Sequence, residues 1–146
     1  MAIADRTANT VWEGGLARGK GNLTMKSGAT GDLPVTWASR TERSDGKTSP
    51  EELLAAAHSS CFAMALSHEL GEAGNPPERL DVTSTVTLDE VDGAPTVTTS
   101  KLTVRGRVPG LDQAGFEAAA QGAGKGCPVS RALAGVEIQV DAQLES

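Results

Sequence analysis

The sequence is sparing with the residue types that mark several common functions. Its 146 residues include two cysteines, aromatics make up 3%, and 13 basic side chains face 19 acidic ones, for a net charge of −6. So few aromatics leave no set of stacking platforms for single-stranded nucleic acid. The acidic balance offers no basic face for a duplex or an anionic membrane. No apolar run approaches the roughly 20 residues of a membrane-spanning helix. The opening "MAIADRTANT" (1–10) lacks the basic-then-apolar layout of a signal peptide. The expectation is a cytoplasmic protein, where two cysteines are more readily reduced or catalytic than locked in a permanent disulfide.

What is present fits one domain with a sizeable core, without linkers or repeats. "NTVWE" (9–13), "GNLTMK" (21–26) and "PVTWASRT" (34–41) read as strands between glycine turns. After the loop "SDGKTSP" (44–50), a helix start is written into the chain. Ser49 is a candidate N-cap, Pro50 stands at N1, and Glu52 completes a Ser-x-x-Glu capping box. Leu53, Leu54, Ala57, Cys61, Ala65 and Leu66 then recur at helical spacing, with Phe62 and Met64 as further core candidates, until Gly71 and "NPP" (75–77) end the helix. Two strands, "LDVTSTVTLDEV" (80–91) and "PTVTTSKLTVRGRV" (95–108), are expected to pair across "DGA". Asp112 caps a second helix, Pro128 opens a short third one, and "VEIQVDAQL" (136–144) closes the chain as a strand. The order of elements lacks the strict alternation of a parallel sheet, so the class is α+β.

The cysteines stand in unlike settings. Cys61 lies in the middle of the long helix, beyond the reach of the helix dipole. It is either a small buried apolar residue or a nucleophile whose thiol must be acidified by another group, an arginine being the natural agent. Cys127 directly precedes Pro128, about where an N-cap belongs. It either packs at a turn or uses the backbone N–H groups there, which favour a thiolate. Together they suggest a cysteine that attacks and a partner that resolves.

The segments "SPEELLAAAHSSCFAMALSHELGEAG" and "GCPVSRAL" closely resemble the OsmC/Ohr family of osmotically inducible and organic hydroperoxide resistance proteins. "WEGGLARGKGNLTMKSG" (12–28) and "LDEVDGAPTVTTSKLTVRGRVPGLD" (88–112) resemble its OsmC branch. The resemblance covers nearly the whole chain, 1–146, as one OsmC-like domain. It implies β-sheets packed around a central Cys-bearing helix, an intertwined homodimer, and a thiol peroxidase without metal, flavin or heme. It further implies that Cys61 is peroxidatic and that Cys127 resolves its sulfenic acid as a Cys61–Cys127 disulfide. A dithiol, such as a lipoyl-bearing protein, would recycle that disulfide. The family's glutamate matches Glu51; its arginine matches Arg40 on the OsmC-branch pattern, with Arg18 as the alternative. Either arginine would hold the thiolate and orient the peroxide.

Glu51 and Cys61 are ten positions apart, about 15 Å along a continuous helix and roughly 80° apart around it. A functional Glu51 therefore has to reach Cys61 across a two-fold interface between two copies. Other readings are a thiol redox sensor or small-ligand-binding stress protein on the same scaffold, a Cys–His hydrolase using His58, and a zinc site of His58, Cys61 and Cys127. The last two have no supporting motif. His68 reads as a helix-surface or interface residue.

Overall fold

The computed structural model describes residues 1–145. The chain clusters into two compact units, Met1–Leu53 and the remainder from Leu54 onward.

In the first unit, β1 (Ala8–Glu13), β2 (Lys20–Met25) and β3 (Leu33–Val35) form an antiparallel sheet in that order. The expected third strand stops early. Thr36 breaks into an N-cap and the chain turns into a short helix, α1 (Trp37–Thr41). The cause is a capping box in "TWAS". The Thr36 hydroxyl accepts from Ser39 N–H at 3.0 Å, and the Ser39 hydroxyl accepts from Thr36 N–H at 2.9 Å. The following loop returns to β3, where Thr48 N–H donates to the Pro34 carbonyl at 2.9 Å. Ser39 Oγ also donates to the Thr48 carbonyl at 2.8 Å. These bonds fix where α2 (Pro50–Glu72) begins. Ser49 does cap it, accepting from Glu52 N–H at 3.1 Å. Glu52 does not close the box; its carboxylate accepts from the Thr48 hydroxyl at 2.8 Å.

In the second unit, β4 (Arg79–Val91) and β5 (Ala94–Arg107) form a long antiparallel hairpin. Its two-residue turn has φ of 51° at Asp92 and 79° at Gly93. That left-handed pair gives the twist that a tight hairpin requires. The chain then crosses over through α3 (Gln113–Gly126) and α4 (Pro128–Ala132) and returns as β6 (Glu137–Leu144), parallel to β5. Asp112 caps α3, accepting from Gly115 N–H at 2.8 Å. Gln113 clamps α3 to β6, donating to the Ala142 carbonyl at 2.8 Å and accepting from Leu144 N–H at 2.9 Å. The α+β reading therefore stands.

The core of this unit joins Phe62, Leu66 and Leu70 of α2 to Leu102 and Val104 of β5, Phe116, Ala120 and Ala123 of α3, and Ala142 of β6. The buried stripe of α2 is thus His58, Phe62, Leu66 and Leu70. The expected stripe is rotated: Ala57 is exposed, Leu53, Leu54 and Cys61 are half-buried, and Met64 is 72% exposed. Gly106 is fixed by packing. A Cβ there would stand 2.5 Å from Cζ of the fully buried Phe116. Gly106→Ala is expected to destabilise the fold by about 1–3 kcal/mol through overpacking, read as a lowered Tm.

Candidate active site

The first unit contributes an ion pair on an apolar wall. Arg40, in the last turn of α1, donates from Nε to Glu51 Oε1 at 2.9 Å and from Nη2 to the same oxygen at 2.7 Å. A further Nε bond reaches Oε2 at 3.2 Å. The Glu51 side chain is 9% exposed and that of Arg40 is 32% exposed. The pair therefore has one desolvated carboxylate, while the guanidinium keeps an outward edge free to take a second partner. Arg40 also stands 6.0 Å over the Trp37 ring, a distance at the limit for cation–π attraction. A cavity of about 220 Å³ opens beside it, with Trp12, Leu16, Trp37 and Leu53 among its walls. Arg18 lies exposed in the β1–β2 turn, apart from this pair. Of the two arginines weighed from the sequence, the structure joins Arg40 to Glu51.

The second unit contributes the thiols. Cys61 of α2 and Cys127 are both free. They share an open depression of about 450 Å³ that Met64, Ala65 and His68 help to line. Cys127 is the N-cap of α4, as expected: its Sγ accepts from Ser130 N–H at 3.3 Å. It is also fully buried, whereas Cys61 is half-buried. Burial pushes the Cys61 thiol above its usual pKa, and the neighbouring Cys127 thiol adds to that rise; the Val129 backbone N–H pulls the other way. Within the single chain desolvation outweighs the one backbone donor, so a nucleophilic Cys61 needs a further acidifying group. At neutral pH the resting group is the thiol.

Sequence reasoning missed what lies behind Cys127. His58 is completely buried, with Nδ1 2.6 Å from Ser100 Oγ and Nε2 2.8 Å from Ser130 Oγ. Ser130 Oγ is 3.1 Å from Cys127 Sγ, and Ser100 Oγ is 3.1 Å from Ser84 Oγ. Burial lowers the His58 pKa, so the neutral ring is its resting form. Two signals pointed here. Ser100 falls on the same face of β5 as Leu102 and Val104, a polar residue at a core position. His58 precedes Phe62 and Leu66 by one and two helical steps of four. Among the described residues no group of three His, Cys, Asp or Glu side chains could hold a metal ion, so His58, Cys61 and Cys127 do not form the zinc site that the sequence left open. No helix of the described residues is long and apolar enough to cross a membrane.

The chain is 45% identical over 135 residues to the peroxiredoxin OsmC of Escherichia coli K12, covering 92% of this chain and 93% of that protein. Among solved structures it is similar to the organic hydroperoxide resistance protein OhrB of Bacillus subtilis, with TM-score 0.72, 26% identity, and coverage of 95% of this chain and 98% of that one. It shares the fold of an organic hydroperoxide resistance protein OsmC from Legionella pneumophila, with TM-score 0.74, 24% identity, and coverage of 98% and 99%. The model of the OsmC-like protein family matches residues 43–141, and with this relative on its OsmC branch the chain belongs to that family.

Proposed function

We propose that the protein is a cysteine-based peroxidase that reduces organic hydroperoxides, with each complete site assembled from two copies of the chain. The observation that carries the chemistry is the adjoining pair of free thiols, one half-exposed and one sealed. A Cys61 thiolate attacks the peroxide O–O bond, the alcohol leaves with a proton, and Cys61 becomes a sulfenic acid. Cys127 condenses with it, releasing water and forming a disulfide. A dithiol reduces that disulfide by two exchange steps and leaves as its own disulfide. Adjacency suits the second step, because it shortens the life of a sulfenic acid that excess peroxide would over-oxidise.

The thiolate has to be drawn out against burial, which calls for a cation. Arg40 is held by Glu51 with its outer edge available. Along α2, Glu51 is about 15 Å from Cys61 by helix rise. A second copy in antiparallel contact brings the Arg40–Glu51 pair of one chain to Cys61 of the other. The exposed surface suits such a partner: Ala56, Ala57 and Ser60 on α2 allow close helix approach, and Met64, Leu16 and Val11 are apolar and exposed. Closed two-fold pairing then yields two sites per dimer.

The cavity beside Arg40 supports an organic hydroperoxide as the substrate. Its apolar walls accept an alkyl or aryl tail while Arg40 holds the peroxide oxygens. At about 1.5–3 kcal/mol for burying an apolar group of phenyl size, a cumyl group adds on the order of 2 kcal/mol, or about 30-fold. With dihydrolipoamide as reductant, kcat/KM for cumene hydroperoxide is expected to exceed that for hydrogen peroxide by at least about tenfold. Equal values would remove the cavity from the substrate site. A single oxidation of Cys61 without turnover would leave a thiol sensor in place of an enzyme.

A further inference from the structure

We infer that His58, acting through the Ser130 hydroxyl, takes the proton of Cys127 when that thiol attacks the oxidised Cys61. The inference rests on the peroxidase reading and adds to it an internal route for the Cys127 proton.

Cys127 must be a thiolate to attack, yet it is completely buried. Its polar neighbours are the Cys61 sulfur and Ser130. Ser130 is itself buried, and so are His58 and Ser100 behind it. The chain of contacts is continuous: Cys127 Sγ to Ser130 Oγ at 3.1 Å, then Ser130 Oγ to His58 Nε2 at 2.8 Å. On the far side, Nδ1 lies 2.6 Å from Ser100 Oγ, which has Ser84 Oγ at 3.1 Å as a second partner. Ser100 can therefore accept from Nδ1–H while donating to Ser84. That tautomer leaves the Nε2 lone pair for the Ser130 hydroxyl, which in turn accepts from the Cys127 S–H. In that tautomer every link can pass a proton from sulfur to the ring.

The step balances. The Cys127 proton passes to Ser130 Oγ as the Ser130 proton passes to Nε2. The Cys127 sulfur attacks the Cys61 sulfur, the S–S bond forms and the S–O bond breaks. The departing hydroxide takes up a proton and leaves as water, while the imidazolium gives up its Nδ1 proton through Ser100 to the half-buried Ser84 and so to solvent. Cys61 is reduced and Cys127 oxidised by the same pair of electrons, so no outside oxidant is needed. The network itself contains two thiols and one imidazole as titratable groups. The charges nearest to it in sequence, Lys101, Lys125 and Arg131, are exposed.

The test is a single turnover of the full-length protein. Reduced protein meets one equivalent of cumene hydroperoxide. Samples quenched in time are analysed by mass spectrometry for Cys61 oxidation and, separately, for the Cys61–Cys127 disulfide. His58→Gln is expected to slow disulfide formation about 10²-fold, well beyond any slowing of Cys61 oxidation. The residual rate should climb about tenfold per pH unit from pH 6 to 8, as hydroxide replaces the lost base. Disulfide formation within about threefold of the native rate, or slowing that is even at every pH, would overturn the inference. If His58→Gln does not fold, Ser130→Ala and Ser130→Thr decide the question. Alanine should slow the step and threonine, which restores the hydroxyl, should recover it. A native rate in Ser130→Ala overturns the relay. Absence of Cys61 oxidation in the native protein would instead defeat the peroxidase reading beneath it.

Discussion

Cys61→Ser is expected to abolish peroxide consumption, a loss of about 10³-fold or more in kcat/KM. Cys127→Ser should behave differently. It keeps the attacking sulfur and loses the resolving one, so it is expected to consume about one equivalent of peroxide per chain and then stall. With excess peroxide, Cys61 in that variant should pass on to the sulfinic acid, seen as a gain of two oxygens by mass spectrometry. Serine is nearly isosteric, so neither change opens a cavity of consequence. The Cys127 position tolerates it for a further reason. The side-chain oxygen of a serine can take over the N-cap of α4 from the sulfur that now accepts the Ser130 N–H. Loss of activity in the first variant and a single-turnover burst in the second separate an attacking from a resolving cysteine. Equal residual turnover in both would leave neither with its assigned role.

The local features were the legible ones. Ser49, Asp112 and Cys127-Pro128 announce helix starts because a cap needs only its own residue and the next three. Asp92-Gly93 announces the hairpin because few residues tolerate positive φ at both positions. The α1 helix was overlooked because Thr and Trp in "VTWASRT" carry strand propensity. The Thr36 and Ser39 hydroxyls override it by capping each other's turn. The buried face of α2 was misread for a tertiary reason. Counting apolar residues turns Leu53, Leu54 and Ala57 inward. The chain leaves Ala57 exposed and Leu53 and Leu54 half-buried, and it seals His58 completely, because Ser100 and Ser130, distant in sequence, supply partners for both ring nitrogens. With its polar atoms satisfied, the imidazole can be buried at little cost, and the small alanines are left at the surface. Of the proposed site, Cys61, Cys127, Arg40 and Glu51 are candidates by their motifs alone. The raised Cys61 pKa could not be read there, since it depends on how far the folded chain desolvates that sulfur.

The second large effect concerns Arg40. Arg40→Met is expected to lower kcat/KM for organic hydroperoxides by about 10²-fold, through loss of charge-assisted hydrogen bonds to the thiolate and the peroxide. If Arg40 faces the thiol of the other copy, the variant should also raise the pH at which Cys61 alkylates, since burial is then opposed by the Val129 N–H alone. The variant carries a stability cost of its own, because it strands the buried Glu51 carboxylate. Arg40→Met/Glu51→Gln relieves that cost, so its Tm should recover while its activity does not. The decisive form of the experiment mixes chains. If Arg40 served the Cys61 of its own chain, combining Arg40→Met with Cys61→Ser by unfolding and refolding together would restore nothing. If it serves the partner's thiol, each mixed dimer contains one site with both an intact Cys61 and an intact Arg40. Random pairing makes half the dimers mixed, and each has one working site of two. Recovery of about a quarter of native activity is therefore expected. That recovery would require the ion pair of one copy to reach the thiols of the other, which is the expectation raised by the ten positions between Glu51 and Cys61 on α2.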